Sequence, residues 1–504
     1  MRIGVVRARA IKAGLLLVVV FIIVLKCAPP SSVFSSSSDS SPLLFTVAKQ
    51  YEPLAWMHGA DRFSLDANIF LQDAGGRHPL VASFAASADP AVSFDGKRVL
   101  FAGKQKVEDH WQIWEVALDI AQQLNRHSAL TGGSPRRITS CVEDCIRPFY
   151  LPDERFVYAK KIGGRFVIEA ADLEGKAVGS SVQLTYSSGN SSGNSSRNSS
   201  GNSLPTDVLR DGRILFEAAY PLGTNGVPEL YTVYSDGSGV ESYRCDHGKA
   251  RYSGKQIASG DIIFVSDSGL GLGRFTSARA KEIRISAPAG DYAGESVETS
   301  SSDWLLAWRP DKKSYFQVRR WKPADGSLAS IALPSAVSST ALSPVAEEPS
   351  ANMIQPTLVV ERTTPKRHPS GLHDWPNANL LCLNAYTSKY KFAPGSIRSV
   401  RLYLRDETGT AKMLGSAPVE SDGSFFVQAP TEQPLQIELL DGSGKTLQRQ
   451  AGWFWMRRGE QRGCVGCHAG PETAPENAVP MVLLKSTTPA DMTGASRLGS
   501  SGGQ

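Results

Sequence analysis

The stretch Arg462-Gly463-Cys464-Val465-Gly466-Cys467-His468 carries the clearest chemistry in this sequence. Two thiols separated by two residues and followed at once by an imidazole form the Cys-x-x-Cys-His attachment signature of a c-type haem. The sulfurs add across the two vinyl groups of the porphyrin, and the adjacent histidine becomes an axial ligand of the iron. A zinc ribbon would need a second cysteine pair, and none follows. A thioredoxin-like redox pair would need a βαβ setting, which the flanks do not offer. The sequence therefore predicts one covalent haem c, attached at Cys464 and Cys467 with His468 on the iron. Candidates for the opposite axial position are Cys382, Met456, Met481, His368 and His373, all of which would serve equally well as core or loop residues. Trp453, Phe454 and Trp455 precede the motif and are candidates to cover the porphyrin face, or to form ordinary core.

Something must hold this motif, and the residues before it read as a small β domain over 379–484. Apolar runs at 380–386, 397–404, 417–419, 424–428, 435–440 and 451–456 are separated by the turn pairs Asp422-Gly423 and Asp441-Gly442. Val400, Leu402 and Leu404 alternate with Arg401, Tyr403 and Arg405, the pattern of a sheet with one solvated face. A β-sandwich is expected. The residues after 484, to 504, read as a disordered tail.

Upstream, 43–345 shows short apolar runs broken by polar turns, with a recurring unit. Ser93-Phe-Asp95-Gly96-Lys-Arg-Val-Leu-Phe101 returns around Asp153 and again around Asp211-Gly212, with 58 residues between successive aspartates. A degenerate copy surrounds Asp261, and Trp304–Trp308 belongs to another. Each copy is strand, turn, strand, then a further strand, and such units bury their faces only against neighbours, so the span predicts a β-propeller of about six blades. The aspartates are read as turn formers. The units resemble those of TolB-like propellers, Ser93–Phe101 most closely. The Gly/Asn/Ser run at 187–203 reads as a disordered insertion between blades; its sequons at Asn190, Asn194 and Asn198 follow from composition alone. The proline- and serine-rich 346–378 reads as a linker, with one closing strand near 357–361.

The N-terminus places all this in a compartment. Arg2, Arg7, Arg9 and Lys12 precede an unbroken apolar run from Ala13 to Leu25, an export signal over 1–30 that is short for a bilayer span, followed by a Ser-rich tether over 31–42. A cleaved signal, lipidation at Cys27 and a retained membrane anchor all stay open. Each predicts a periplasmic or envelope location, with membrane contact through the N-terminus. There a disulfide between Cys141 and Cys145 is allowed. A net charge of +5 spread over 54 basic and 49 acidic residues, with no basic block, excludes a dedicated nucleic-acid surface.

Taken together, Leu380-Leu-Cys382-Leu-Asn-Ala-Tyr386, Asp422-Gly-Ser-Phe-Phe-Val427, Trp453-Phe-Trp455, the haem motif and Ala474-Pro-Glu-Asn477 resemble the family related to the α subunit of hydrazine synthase. The resemblance covers most of the chain and is most specific from Leu380 to Pro480, the haem-carrying middle domain of that family. It implies covalent haem at Cys464, Cys467 and His468. It does not imply hydrazine synthesis, since the catalytic subunit of that family has another haem-bearing domain and works in a multisubunit complex. Three functions follow as expectations. The first is an exported monohaem redox protein for electron transfer or small-ligand sensing, the propeller docking an unidentified redox or envelope partner. The others are an oxidoreductase acting on a small nitrogen or oxygen species at an open haem, and an envelope binding module with structural haem.

Overall fold

A computed structural model describes residues 41–73, 76–118, 133–174, 181–186, 202–220, 227–244, 247–266, 269–277, 280–322, 327–330, 350–388, 390–405, 410–450, 452–466 and 478–494. The export signal with Cys27, the repeat at 187–201, Cys245, Cys467 and His468 lie outside the described residues.

Six four-stranded antiparallel sheets follow one another as blades: blade 1 has its strands within 43–79 and 352–358, blade 2 within 86–137, blade 3 within 145–183, blade 4 within 202–242, blade 5 within 251–285 and blade 6 within 291–330. Blade 2 (Ala86–Val92, Arg98–Lys104, Gln112–Ala117, Arg136–Arg137) shows the common plan, and its first hairpin turns at Asp95-Gly96. There the Asp95 carboxylate accepts from the Lys97 amide at 3.1 Å and Ser93 Oγ at 2.5 Å, which is the turn-forming role expected of it. Asp211 does the same for the Arg213 amide. The ring closes in blade 1, where Asn352–Leu358 pairs antiparallel with Leu43–Ala48, so residues far apart in sequence share one sheet. The closing strand thus begins at Asn352 and ends before Val359, earlier than its apolar run at 357–361 suggests. The first strands of blades 2 to 6 and the closing strand touch one another in cyclic order.

Those six inner strands share a feature that apolar patterning does not reveal. Each is bulged, and in five of them one residue has positive φ: Asp89 (58°), Arg147 (55°), Ser253 (51°), Glu295 (53°) and Gln355 (58°). The bulge turns polar side chains onto the propeller axis, where they pair. Arg62 Nη2 donates to both Asp89 oxygens at 2.5 and 2.7 Å, Gln355 Nε2 donates to Asp89 at 2.5 Å, and Arg147 pairs with Glu295. Left-handed backbone at a non-glycine residue costs on the order of 1–3 kcal/mol, which this buried network offsets.

The second domain is a two-sheet sandwich. One sheet has the order Gln461–Cys464, Ala378–Cys382, Phe425–Ala429, Ala490–Asp491; the other has Ala411–Pro418, Ser399–Arg405, Leu435–Leu440, Thr446–Arg449. Three expectations change. Residues 452–456 form no strand and touch the sheet through a single bridge, Leu435 to Phe454, because their aromatic side chains are used in packing between domains. The insertion after 187 ends before Asn202, which opens the inner strand of blade 4 and holds the Phe166 amide and Met57 carbonyl. The tail is ordered to 494: Ala490–Asp491 pairs with Val427 and Gln428, and Met492 is buried in the core. Cys141 and Cys145 are joined as a disulfide. No helix among the described residues is long and apolar enough to cross a membrane.

Burial alone would push the Asp89 carboxyl up, but Arg62 and Arg147 with the Gln355 and Arg62 hydrogen bonds hold it below the usual carboxylate range. A depressed folded-state pKa stabilises above the unfolded value, about 3.9, and that contribution is lost as pH falls through the lower folded value. Asp89→Asn leaves Arg62 and Arg147 short of a counter-charge and should cost about 3–5 kcal/mol by urea denaturation at pH 7. Wild type and variant should converge in stability as the pH is lowered below about 4.

Candidate functional site

Strand pairing sets the position of the first motif cysteine. Gln461–Cys464 runs parallel to Ala378–Cys382, with Cys464 level with Cys382, and the Leu383 amide donates to the Cys464 carbonyl at 2.8 Å. The chain then turns tightly. Gly466 lies against Thr387 so closely that a Cβ would fall 2.2 Å from the Thr387 carbonyl oxygen, so only glycine fits at the second intervening position of the motif.

Cys464 opens on a cavity of about 470 Å³, within the roughly 300–1,000 Å³ typical of sites that bury a small molecule or cofactor. Leu380, Phe425, Ile437, Leu439, Trp453 and Phe454 form its sandwich wall, and Tyr231, Tyr234 and Val240 of blade 4, with Tyr243 and His247 of the connection after it, form the facing wall. Arg213 and Arg462 are the cations of the lining. Arg213 is held by Asp211 and Glu241 at 2.8 Å each, and Arg462 by Glu460 at 2.6 Å.

The two walls are held together by the segment between Gly452 and Arg462. Trp455 has no exposed surface; its indole N–H donates to the Leu184 carbonyl at 3.1 Å, and its ring meets Tyr186 and Phe216. Arg457 pairs with Glu432 at 2.8 Å and bonds the Tyr186 hydroxyl. Buried Glu460 accepts from the Gly239 amide of blade 4 at 3.1 Å. A single apolar cluster runs from Ile168 of blade 3 and Phe216 of blade 4 to Phe425, Leu439 and Trp455.

The structure sorts the candidate residues. Cys464, Cys382, Trp453 and Phe454 line the cavity. Trp455 and Met456 do not; both are fully buried in the core cluster, the indole spent on Leu184. Met481 lies on the short helix Met481–Lys485, where the Ser421 hydroxyl donates to its sulfur. His368 stacks on Tyr234 at 3.6 Å and His373 on Trp375 at 4.8 Å, neither in the lining. His247 was missed, since nothing in Arg244-Cys-Asp-His247 marks it locally.

A motif thiol in the lining, mostly apolar walls and an imidazole are features a c-type haem would use, while the two lining guanidinium groups are already paired with Asp211, Glu241 and Glu460. Among the described residues no group of three or more His, Cys, Asp or Glu side chains is arranged to hold a metal ion.

Residues 395–469 match the family described as the hydrazine synthase alpha subunit middle domain. Hydrazine synthase of Kuenenia stuttgartiensis superposes with a TM-score of 0.68 at 16% identity, covering 89% of this chain and 72% of that one. TolB of Acinetobacter baumannii aligns with a TM-score of 0.41 at 14% identity, over 73% and 75% of the respective chains. No curated protein matches the chain.

Because Trp455 fills the junction of the two walls, Trp455→Ala should cost about 3–5 kcal/mol. Trp453→Ala, at the partly exposed cavity wall, should cost less. Urea denaturation of the two variants gives the order.

Proposed function

We propose that this chain, whose residues 395–469 belong to the hydrazine synthase alpha subunit middle-domain family, is an exported monohaem c-type redox protein. The observation that carries the reading is the opening of the Cys-x-x-Cys-His thiol Cys464 onto a cavity shared by the sandwich and blade 4. Cys464 and Cys467 would hold the porphyrin through thioether bonds, each thiol hydrogen passing to a vinyl carbon, and His468 would bind the iron. The haem supplies one-electron chemistry at its iron.

The protein's part is to exclude water and fix the electrostatics. Leu380, Phe425, Leu439 and Phe454 make the cavity walls apolar, which disfavours the more highly charged oxidation state of any group inside. Arg213 and Arg462 lie in the lining with their charges already matched by Asp211, Glu241 and Glu460. Arg462 lies over Phe454 at 5.6 Å, which keeps it at the cavity edge.

The relation to the hydrazine synthase alpha subunit supports a redox role connected with small nitrogen species. The basic and apolar N-terminus and the Cys141–Cys145 pair support work outside the cytoplasm, in the periplasm or envelope, with electrons exchanged with a partner there.

Expression with a haem c maturation system tests the proposal. Wild type should carry one covalent haem per chain by pyridine haemochrome assay and should be reduced and reoxidised reversibly in a potentiometric titration. Cys464→Ala with Cys467→Ala should abolish covalent haem while leaving the far-UV β signature. Covalent haem surviving in that double variant, or a wild type without any, would refute the assignment.

A further inference from the structure

The connection that follows blade 4 presents a histidine to the cavity, and its setting is that of a ligand. The side chains of His247 and Glu229 are 7% and 6% exposed, and His247 Nδ1 lies 2.6 Å from Glu229 Oε2. The other carboxylate oxygen accepts from the Gly248 amide at 2.7 Å, so the carboxylate is fixed on both sides of the ring it orients. Glu229 itself sits in the strand Val227–Val233, opposite Ala218, and cannot swing away. With the carboxylate oxygen as acceptor, Nδ1 is the hydrogen-bonded nitrogen, and in the neutral ring that leaves the lone pair on Nε2. His247 is in the cavity lining, and Gly452 lies against its Nε2 edge, where a Cβ would come within 3.2 Å of Cε1 and 3.5 Å of Nε2. Gly452 therefore makes the room the imidazole occupies.

A histidine whose second ring nitrogen is bound by a carboxylate is the usual arrangement of a metal-binding histidine. A buried imidazole needs an acceptor for its N–H in any role; what sets His247 apart is that it also stands in the cavity lining. Of the described histidines, His58, His78, His110, His368 and His373 are all outside the lining. Resting on the haem reading above, we infer that His247 is the second axial ligand of the haem iron, contributed by the propeller to a cofactor covalently attached to the sandwich domain. The consequence is a six-coordinate, bis-imidazole site suited to electron transfer, in which both domains hold the iron. Glu229 is then a positioning residue that acts through the imidazole.

The test uses the full chain with covalent haem, and its first step separates the two readings. If wild type lacks covalent haem by pyridine haemochrome assay and intact mass, the haem reading fails and this inference with it. If wild type carries haem, the inference predicts a low-spin ferric spectrum with a bis-imidazole electron paramagnetic resonance signal. His247→Gly should keep full covalent haem, become high-spin and bind CO in the ferrous state on the order of tenfold or more tightly, because no internal ligand competes. Added imidazole should restore the low-spin signal in His247→Gly, a rescue that a merely structural role would not give. Glu229→Gln should stay low-spin with a raised midpoint potential, since the anionic acceptor that makes the imidazole a stronger donor is lost. A haem-loaded wild type that is five-coordinate and high-spin, or a His247→Gly protein that keeps the wild-type low-spin spectrum, would overturn the assignment.

Discussion

Trp455 is the contact on which the site depends. The cavity has one wall in each domain, so it exists only while the two are fixed together, and a completely buried indole hydrogen-bonded to Leu184 does most to fix them. Burying a side chain of this size contributes several kcal/mol, more than any of the exposed ion pairs nearby. Arg457 and Glu460 add direction to that attachment, tying the segment to Tyr186 and to the Gly239 turn. The short stretch that docks the domains leads straight into the motif cysteine. The first motif cysteine and the domain junction therefore belong to one local structure.

The propeller has two tasks in this arrangement. Its ring is closed by pairing Leu43–Ala48 with Asn352–Leu358, and the inner strands are held at the axis by the buried charges of Arg62, Asp89, Arg147 and Glu295. Against that ring, Tyr231 and Tyr234 of blade 4 and His247 of the connection after it face a pocket whose thiol belongs to another domain.

Local features of the site were legible in the sequence. The Cys-x-x-Cys-His spacing, the Asp-Gly turns and the alternation of Val400 to Leu404 each express a constraint acting within a few residues. Long-range features were not. The parallel pairing of Gln461–Cys464 with Ala378–Cys382 joins segments about eighty residues apart and has no local mark. Residues 452–456 resemble a strand because strands and domain contacts both favour large aromatic side chains. The inner-strand bulges at Asp89, Arg147 and Glu295 place charged residues where a strand pattern calls for apolar ones. His247 becomes meaningful only when blade 4 is folded against the sandwich.

The most direct measurement is iron-edge anomalous diffraction from crystals of the haem-loaded protein. A haem held at the domain junction predicts one strong iron peak inside the cavity bounded by Cys464, Trp453 and His247. An iron peak outside that cavity would contradict it.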